Sequence, residues 1–336
     1  MKLAVDRNRL IAGGILAVIG VAVIAWALLH GGADPTAAPA PTPTADTPPQ
    51  LLSLSVRSLP VPLVAVVGTS SSGKSVAIPI PPSLLVTVPG GGDGTIAETS
   101  LRSGDALAAT ISNVLGAWVG AHVTTDMVGL TDIVDRAGGI TLPGSPQVMS
   151  GAKVRAYLEQ ETGQTRFMRW GEVLQALFSK PVQLQASDLR EEGELAAAQP
   201  VLSRVSDASL EELPTQPAQQ RFVIADQEGI TKLMSSSLGI DTTPVARVSV
   251  LNGSGVPAVG EDVAKVIIPA GFRIVSSQNA QKFGHPTTQV IAQGDEARPV
   301  AEQLHSLLGV GRVIVVAQRS GFADITLLVG EDFKPT

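Results

Sequence analysis

The sequence has no cysteine among its 336 residues. That absence excludes disulfides, thiolate metal sites and a cysteine nucleophile, and it leaves the redox compartment open. Aromatic residues make up only 3%, too few for the stacking platforms that hold single-stranded nucleic acid. Positive charge is scarce as well: 24 Lys and Arg against 30 Asp and Glu give a formal net charge of −6. A surface that displaces counterions from a phosphate backbone needs the opposite sign. The four histidines, His30, His122, His285 and His305, are spaced too widely for an H-x-x-x-H pair or a ligand cluster. Gly 34 and Pro 24 come to about a sixth of the chain, short of the richness that marks wholly disordered proteins.

What is present is aliphatic. Hydrophobic residues reach 44%, enough for sizeable cores of Val, Leu, Ile and Ala, and the length suits two folded units plus non-globular sequence. Leu10 to Leu29 (LIAGGILAVIGVAVIAWALL) is an uncharged apolar run that spans roughly 30 Å as a helix, one bilayer core. Lys2, Arg7 and Arg9 precede it and no basic residue follows until Arg57, which places residues 1–9 in the cytoplasm and the bulk of the chain outside. The competing reading, a cleaved signal peptide, has a shorter apolar region, and here Ala38-Pro39-Ala40 runs straight into Pro41. Residues 30–50 are rich in Pro, Ala and Thr and read as an extended, semi-rigid linker.

Leu63–Val67 and Ser75–Ile80 read as strands of a hairpin joined by GTSSSGK. Gly68 to Ser75 also fits the phosphate-binding pattern GxxxxGK[ST]. That pattern works only if a helix starts at the lysine, and Pro79, Pro81 and Pro82 with β-branched Val76 and Ile78 predict a strand instead. Further along, helices are predicted at 105–115, 130–137, 150–159 and 169–178, and strands at 122–125 and 140–142. From 248 onward the pattern is strand 248–251, helix 257–268, strands 272–275 and 288–292, helix 296–308, and strands 312–317 and 324–329. The Asn252-Gly253-Ser254-Gly255 turn either offers amides to an anion or needs its glycines for geometry alone.

The order of these elements and several words in the sequence resemble the LytR-CpsA-Psr family, whose members transfer glycopolymers from polyprenyl pyrophosphate carriers to peptidoglycan. The resemblance covers roughly 51–240. The family pattern IPRDxxVxIPG is matched by Ile80-Pro81-Pro82-Ser83-Leu84-Leu85-Val86-Thr87-Val88-Pro89-Gly90, with Pro82 and Ser83 in place of Arg and Asp. HYVxxD and LVDxxGGI are echoed by His122-Val123-Thr124-Thr125-Asp126 and Ile133-Val134-Asp135-Arg136-Ala137-Gly138-Gly139-Ile140. AYVRxR followed by RxxRQ becomes Ala156-Tyr157-Leu158-Glu159-Gln160-Glu161, then Arg166-Phe167-Met168-Arg169-Trp170. Residues 247–333 resemble the LytR C-terminal domain, from Val248-Ser249-Val250-Leu251-Asn252-Gly253-Ser254-Gly255 to Val329-Gly330-Glu331-Asp332-Phe333.

Beyond the transmembrane helix read from the apolar run (10–29), the resemblance implies an α/β (α+β) fold class: a degenerate LytR-CpsA-Psr-like α/β domain (51–240) and a small C-terminal α/β sandwich (247–333). It implies polyprenyl pyrophosphate contacts at Arg166 and Arg169, which share a helix face or else pair with Glu159, Glu161 and Glu172. Leu84, Leu107, Ile111, Leu115, Val173 and Leu177 are expected to face one apolar interior behind them. A pyrophosphate leaving group needs a metal on carboxylates and a clamp of cations. Ser83 cannot serve as the carboxylate, Pro82 has no charge, and Glu159 repels phosphate. The expectation is therefore a protein without catalytic or metal-binding residues, needing Mg²⁺ only if transferase activity is retained. It sits in the cell membrane and supports cell-wall assembly. Its expected partners are the cytoplasmic membrane, polyprenyl-linked glycopolymer or peptidoglycan, and envelope proteins, with no nucleic acid. The alternatives are an active glycopolymer–peptidoglycan ligase and, more remotely, an extracytoplasmic nucleotide-binding protein using Gly68 to Ser75.

Overall fold

A computed structural model describes residues 51–179, 181–189, 192–193, 195–317 and 321–334. The run 10–29 and the linker 30–50 lie outside the described residues. No described helix is long and apolar enough to cross a membrane. The chain is of mixed α/β class. It runs β1 (Leu51–Val56), β2 (Leu63–Thr69), β3 (Ser75–Ile80), β4 (Leu84–Val88), β5 (Gly92–Thr95), α1 (Ile96–Thr99), α2 (Gly104–Leu115), β6 (Ala121–Thr125) and α3 (Met127–Arg136). Then come β7 (Ile140–Thr141), β8 (Val148–Met149), α4 (Gly151–Glu159), α5 (Gly163–Leu177), β9 (Glu192–Gly193), α6 (Leu195–Leu202), β10 (Ser209–Leu210), β11 (Thr215–Pro217), β12 (Val223–Ala225) and α7 (Gln227–Leu238).

A six-stranded sheet of order β10-β3-β2-β1-β6-β9 divides this part into two cores. All six residues of β1 are buried, because both faces of the sheet are covered. One face receives Leu52, Leu54, Val123, Val173, Leu174 and Leu177, with Trp170 fully buried among them. The other receives Val64, Val66, Ile78, Leu84, Leu107, Ile111 and Leu115. The six residues expected to line one interior are thus all buried but divide between two. After β3 the chain enters a second sheet, of order β11-β12-β4-β5, which carries Leu84 and α2 to the far face, away from α5.

Local signals explain most boundaries. Ser103 caps α2 by accepting the Ala106 N–H at 3.1 Å, and Gly116 ends it in the left-handed conformation. Asp126 caps α3 through the Gly129 N–H at 2.7 Å. The helix expected at 169–178 begins at Gly163 instead. Placing Arg166 and Trp170 one turn apart buries both.

The C-terminal part contains β13 (Ala246–Asn252), α8 (Val259–Ile267), β14 (Phe272–Asn279), β15 (Gln289–Gln293), α9 (Arg298–Leu308), β16 (Arg312–Val316) and β17 (Ile325–Val329). Its sheet has the order β14-β13-β17-β15-β16. The parallel pairs β13–β14 and β15–β16 each enclose a helix, and α8 and α9 share one core with the sheet, built on Val248, Val250, Val263, Ile267, Leu304 and Leu327. Every predicted element is present. Helix α8 starts two residues later than expected because Ala258 takes a left-handed φ of 61° and cannot continue a helix.

Candidate functional site

Arg166 and Arg169 lie one turn apart on α5, facing the C-terminal end of α4. Gly171 keeps α5 close to the sheet: a Cβ there would stand 3.2 Å from Leu210 and 3.9 Å from Pro79. Arg166 is only 5% exposed. Its Nε donates to the Leu158 carbonyl at 3.0 Å, one of the carbonyls left free at the end of α4. Its two terminal nitrogens have no hydrogen-bond partner among the described residues.

Arg169 is more fully engaged. Its Nη1 donates to the Tyr157 carbonyl at 2.5 Å and its Nη2 to Glu161 Oε1 at 3.3 Å. The guanidinium lies 4.2 Å from the centroid of the Tyr157 ring, a cation–π stack. The Tyr157 hydroxyl donates to Glu172 Oε2 at 2.5 Å. That hydrogen bond, then burial and the Glu172 charge, hold the phenol above its ordinary range, while Arg169 pulls the other way. Glu159 turns aside to Arg155, 2.9 Å away. Two guanidinium groups and the carboxylates of Glu161 and Glu172 thus form a charge-balanced cluster, in which Arg166 has one donor engaged and Arg169 two among the described residues.

The core behind these arginines is closely packed. It contains a cavity of about 10 Å³, bounded by residues including Leu52, Leu54, Val123, Leu177 and Phe178. That is room for about one water-sized sphere and far too little for a polyprenyl chain. Nor do the residues fit a catalytic metal. Pro82 and Ser83 supply no carboxylate, and among the described residues no three His, Asp or Glu side chains gather where an ion could be held.

Other motif residues prove to be structural. Asp135 accepts the Gly151 N–H at 2.7 Å and so holds the start of α4. Gly139, at φ 82°, lies so close to Val148 and Met149 that a Cβ would come within 2.6 Å of the Val148 side chain. His122 packs on Gly104, its Nδ1 3.6 Å from Asp105 Oδ1. The segment from Gly68 to Ser75 is the tip of the β2–β3 hairpin, closed by the Ser70 N–H to the Lys74 carbonyl at 2.8 Å. No helix follows Lys74, which lies 3.7 Å from Glu211. In the Asn252–Gly255 turn, Asn252 Oδ1 accepts the Gly255 N–H at 2.9 Å and Ser254 Oγ the Val256 N–H at 3.2 Å. The amides of both glycines are engaged, Gly253 by the Val329 carbonyl and Gly255 by Asn252, which favours their geometric role. One charged pair went unforeseen: Arg136 forks onto Asp188, with Nη1 to Oδ2 at 2.6 Å and Nη2 to Oδ1 at 2.8 Å, and Asp188 is fully buried. The partners are 52 residues apart and no local pattern links them.

Together these features describe a mixed α/β protein that carries an arginine–carboxylate cluster on its first part and ends in a two-layer α/β domain. Residues 246–333 of that ending match the model of the family described as LytR cell envelope-related transcriptional attenuator, in agreement with the C-terminal resemblance. Among solved structures, a transcriptional regulator from Enterococcus faecalis is similar at 18% identity, over 58% of this chain and 89% of that one, with a TM-score of 0.44. Bacillus subtilis TagT is similar at 16% identity, over 57% and 92%, with a TM-score of 0.45. A structure described as LytR-CPS2A-psr family protein YwtF (TagT) with bound octaprenyl pyrophosphate lipid is similar at 16% identity, over 56% and 90%, with a TM-score of 0.44. No curated protein matches the chain.

Proposed function

We propose that this is a membrane-anchored, extracytoplasmic protein that supports cell-envelope assembly by binding or scaffolding, without transferring glycopolymer itself. The run 10–29 supplies the anchor and the linker 30–50 holds the folded mass off the membrane. The observation that carries the non-catalytic reading is the state of the inherited site. Its apolar core is filled, Arg169 is neutralised by Glu161 and stacked on Tyr157, and Pro82 and Ser83 offer nothing to a metal. A transferase needs more positive charge in the transition state than this cluster supplies.

Arg166 favours a second, narrower reading. Its terminal nitrogens, without a hydrogen-bond partner among the described residues, are suited to charge-assisted hydrogen bonds with a phosphate oxygen, so weak recognition of a polyprenyl diphosphate without turnover is compatible with the geometry. The test uses the full chain in detergent micelles with a polyprenyl pyrophosphate-linked glycan, a peptidoglycan acceptor and Mg²⁺. The expected result is no polymer transfer and no release of phosphate or pyrophosphate. Metal-dependent transfer overturns the proposal and establishes the ligase alternative. A second expectation concerns topology: protease added to intact cells should degrade everything beyond residue 50. Protection of that mass removes the extracytoplasmic assignment.

A further inference from the structure

Helix α2 is buried on all sides. A helix on the surface of a domain normally hides one stripe and shows the other to water, yet every residue of α2 except Asp105 is buried. Leu107, Ile111, Val114 and Leu115 account for one side, which faces the first part's own core. The opposite side faces the C-terminal part: Ala109 belongs to that part's core, with Trp118 packed against it.

The contacts are directional as well as apolar. Strand β14 is an edge of its sheet, and an edge leaves backbone groups unpaired. The Asn113 side chain takes the place of a neighbouring strand there. Its Nδ2 donates to the Ile274 carbonyl and its Oδ1 accepts the Ile274 N–H, both at 2.8 Å. Farther along the edge, Ser277 Oγ accepts the Gly90 N–H at 2.7 Å. Where α8 begins, Gly260 meets Gly90 backbone to backbone: a Cβ on Gly260 would stand 2.2 Å from the Gly90 nitrogen. No side chain fits that gap.

We propose that residues 246–333 are not a tethered module but the permanent partner of a surface made by α2 and the Pro89–Gly92 turn. This goes beyond the reading of function above and does not depend on it. It means that no other protein can add a strand at β14, and that an envelope ligand held by the C-terminal domain also fixes the orientation of the first domain.

The experiment introduces a specific protease site between Thr243 and Pro244 of the full chain, cleaves it under native conditions, and follows both pieces by size-exclusion chromatography. The pieces should co-elute and separate only in denaturant. Asn113→Leu, which keeps the side chain's bulk but strands both Ile274 backbone groups, should weaken the association of the cleaved pieces at least about tenfold. Gly260→Leu should weaken it more, and Ser277→Ala less. Pieces that drift apart after cleavage with every contact residue intact overturn the proposal. So does association unchanged in Asn113→Leu and Gly260→Leu. If those two variants fail to fold, Ser277→Ala decides: weaker association supports the proposal and unchanged association counts against it.

Discussion

Two arginines on the same side of the six-stranded sheet have opposite surroundings. Arg136, at the end of α3, is paired with the buried carboxylate of Asp188, which also accepts the Gln185 N–H at 2.7 Å. The Asp188 hydrogen bond raises the Arg136 pKa above its ordinary value. Arg166, on α5, is more deeply buried and meets only a carbonyl oxygen. Burial alone therefore does not separate a structural arginine from one with binding capacity; the number of donors already engaged does. Arg136 is a closed lock between α3 and the segment before β9. Arg166 keeps more of its donors unengaged than Arg136 does among the described residues.

The comparison rests on the shared core, and Trp170 tests that first. Its indole N–H donates to the Val64 carbonyl at 3.2 Å and its ring is fully buried. Trp170→Ala is expected to cost about 3–5 kcal/mol, measured by urea unfolding of the full chain; a loss below about 1 kcal/mol breaks the picture of one tightly packed core. Next in size is Asp188→Ala, which leaves the solvent-exposed Arg136 without its counter-charge and the Gln185 N–H without its acceptor. Arg136 retains some contact with water, so the expected cost is about 2–3 kcal/mol, short of the full penalty for an uncompensated buried charge. Arg166→Met lies on the other side of the comparison. No ion pair is lost there, although the Leu158 carbonyl loses its donor, so stability should change by no more than about 1 kcal/mol in either direction. Inorganic pyrophosphate should protect the parent chain against heat more than it protects this variant. Equal protection of both removes the phosphate role from Arg166.

Much of the architecture was legible in the sequence, for identifiable reasons. Short apolar, β-branched runs joined by a Ser/Gly-rich segment predicted the β2–β3 hairpin, and the prolines after Lys74 predicted a strand where a phosphate loop needs a helix. Small residues in tight places, such as Gly139 and Gly253, mark turns whose geometry admits nothing larger. The candidate site was half legible. Arg166 and Arg169 do come together, but the stack on Tyr157, the Glu172 hydrogen bond and the filled core depend on side-chain directions that spacing does not encode. Splitting the six expected pocket residues into two cores required knowing that the chain crosses the sheet after β3. The contact between α2 and β14 was invisible for a related reason. Asn113 reads as an ordinary polar helix residue until the strand it caps, 161 residues away, is brought beside it.

The smallest predicted effect lies at that contact, where Glu261 of α8 approaches the start of α2. Burial first, then the Asp105 charge and more weakly that of Asp262, push the Glu261 carboxyl above its ordinary value of 4.5, while Lys265 and Arg102 oppose the shift. The folded chain therefore holds this proton more tightly than the unfolded chain does. The stabilisation is complete below about pH 4.5 and is lost as pH rises through the raised folded value. Asp324, whose carboxyl is held low by hydrogen bonds from Arg247, works the other way, losing its contribution only as pH falls below its ordinary 3.8. The two windows do not overlap, so the Glu261 signal can be read alone above pH 4.5. Glu261→Gln, which imitates the protonated carboxyl, should make the full chain more stable than the parent at pH 7.5. That advantage should shrink steadily and vanish as denaturation is repeated toward pH 4.5. A difference that stays constant with pH assigns the change to packing and removes the carboxyl from the electrostatics of the contact.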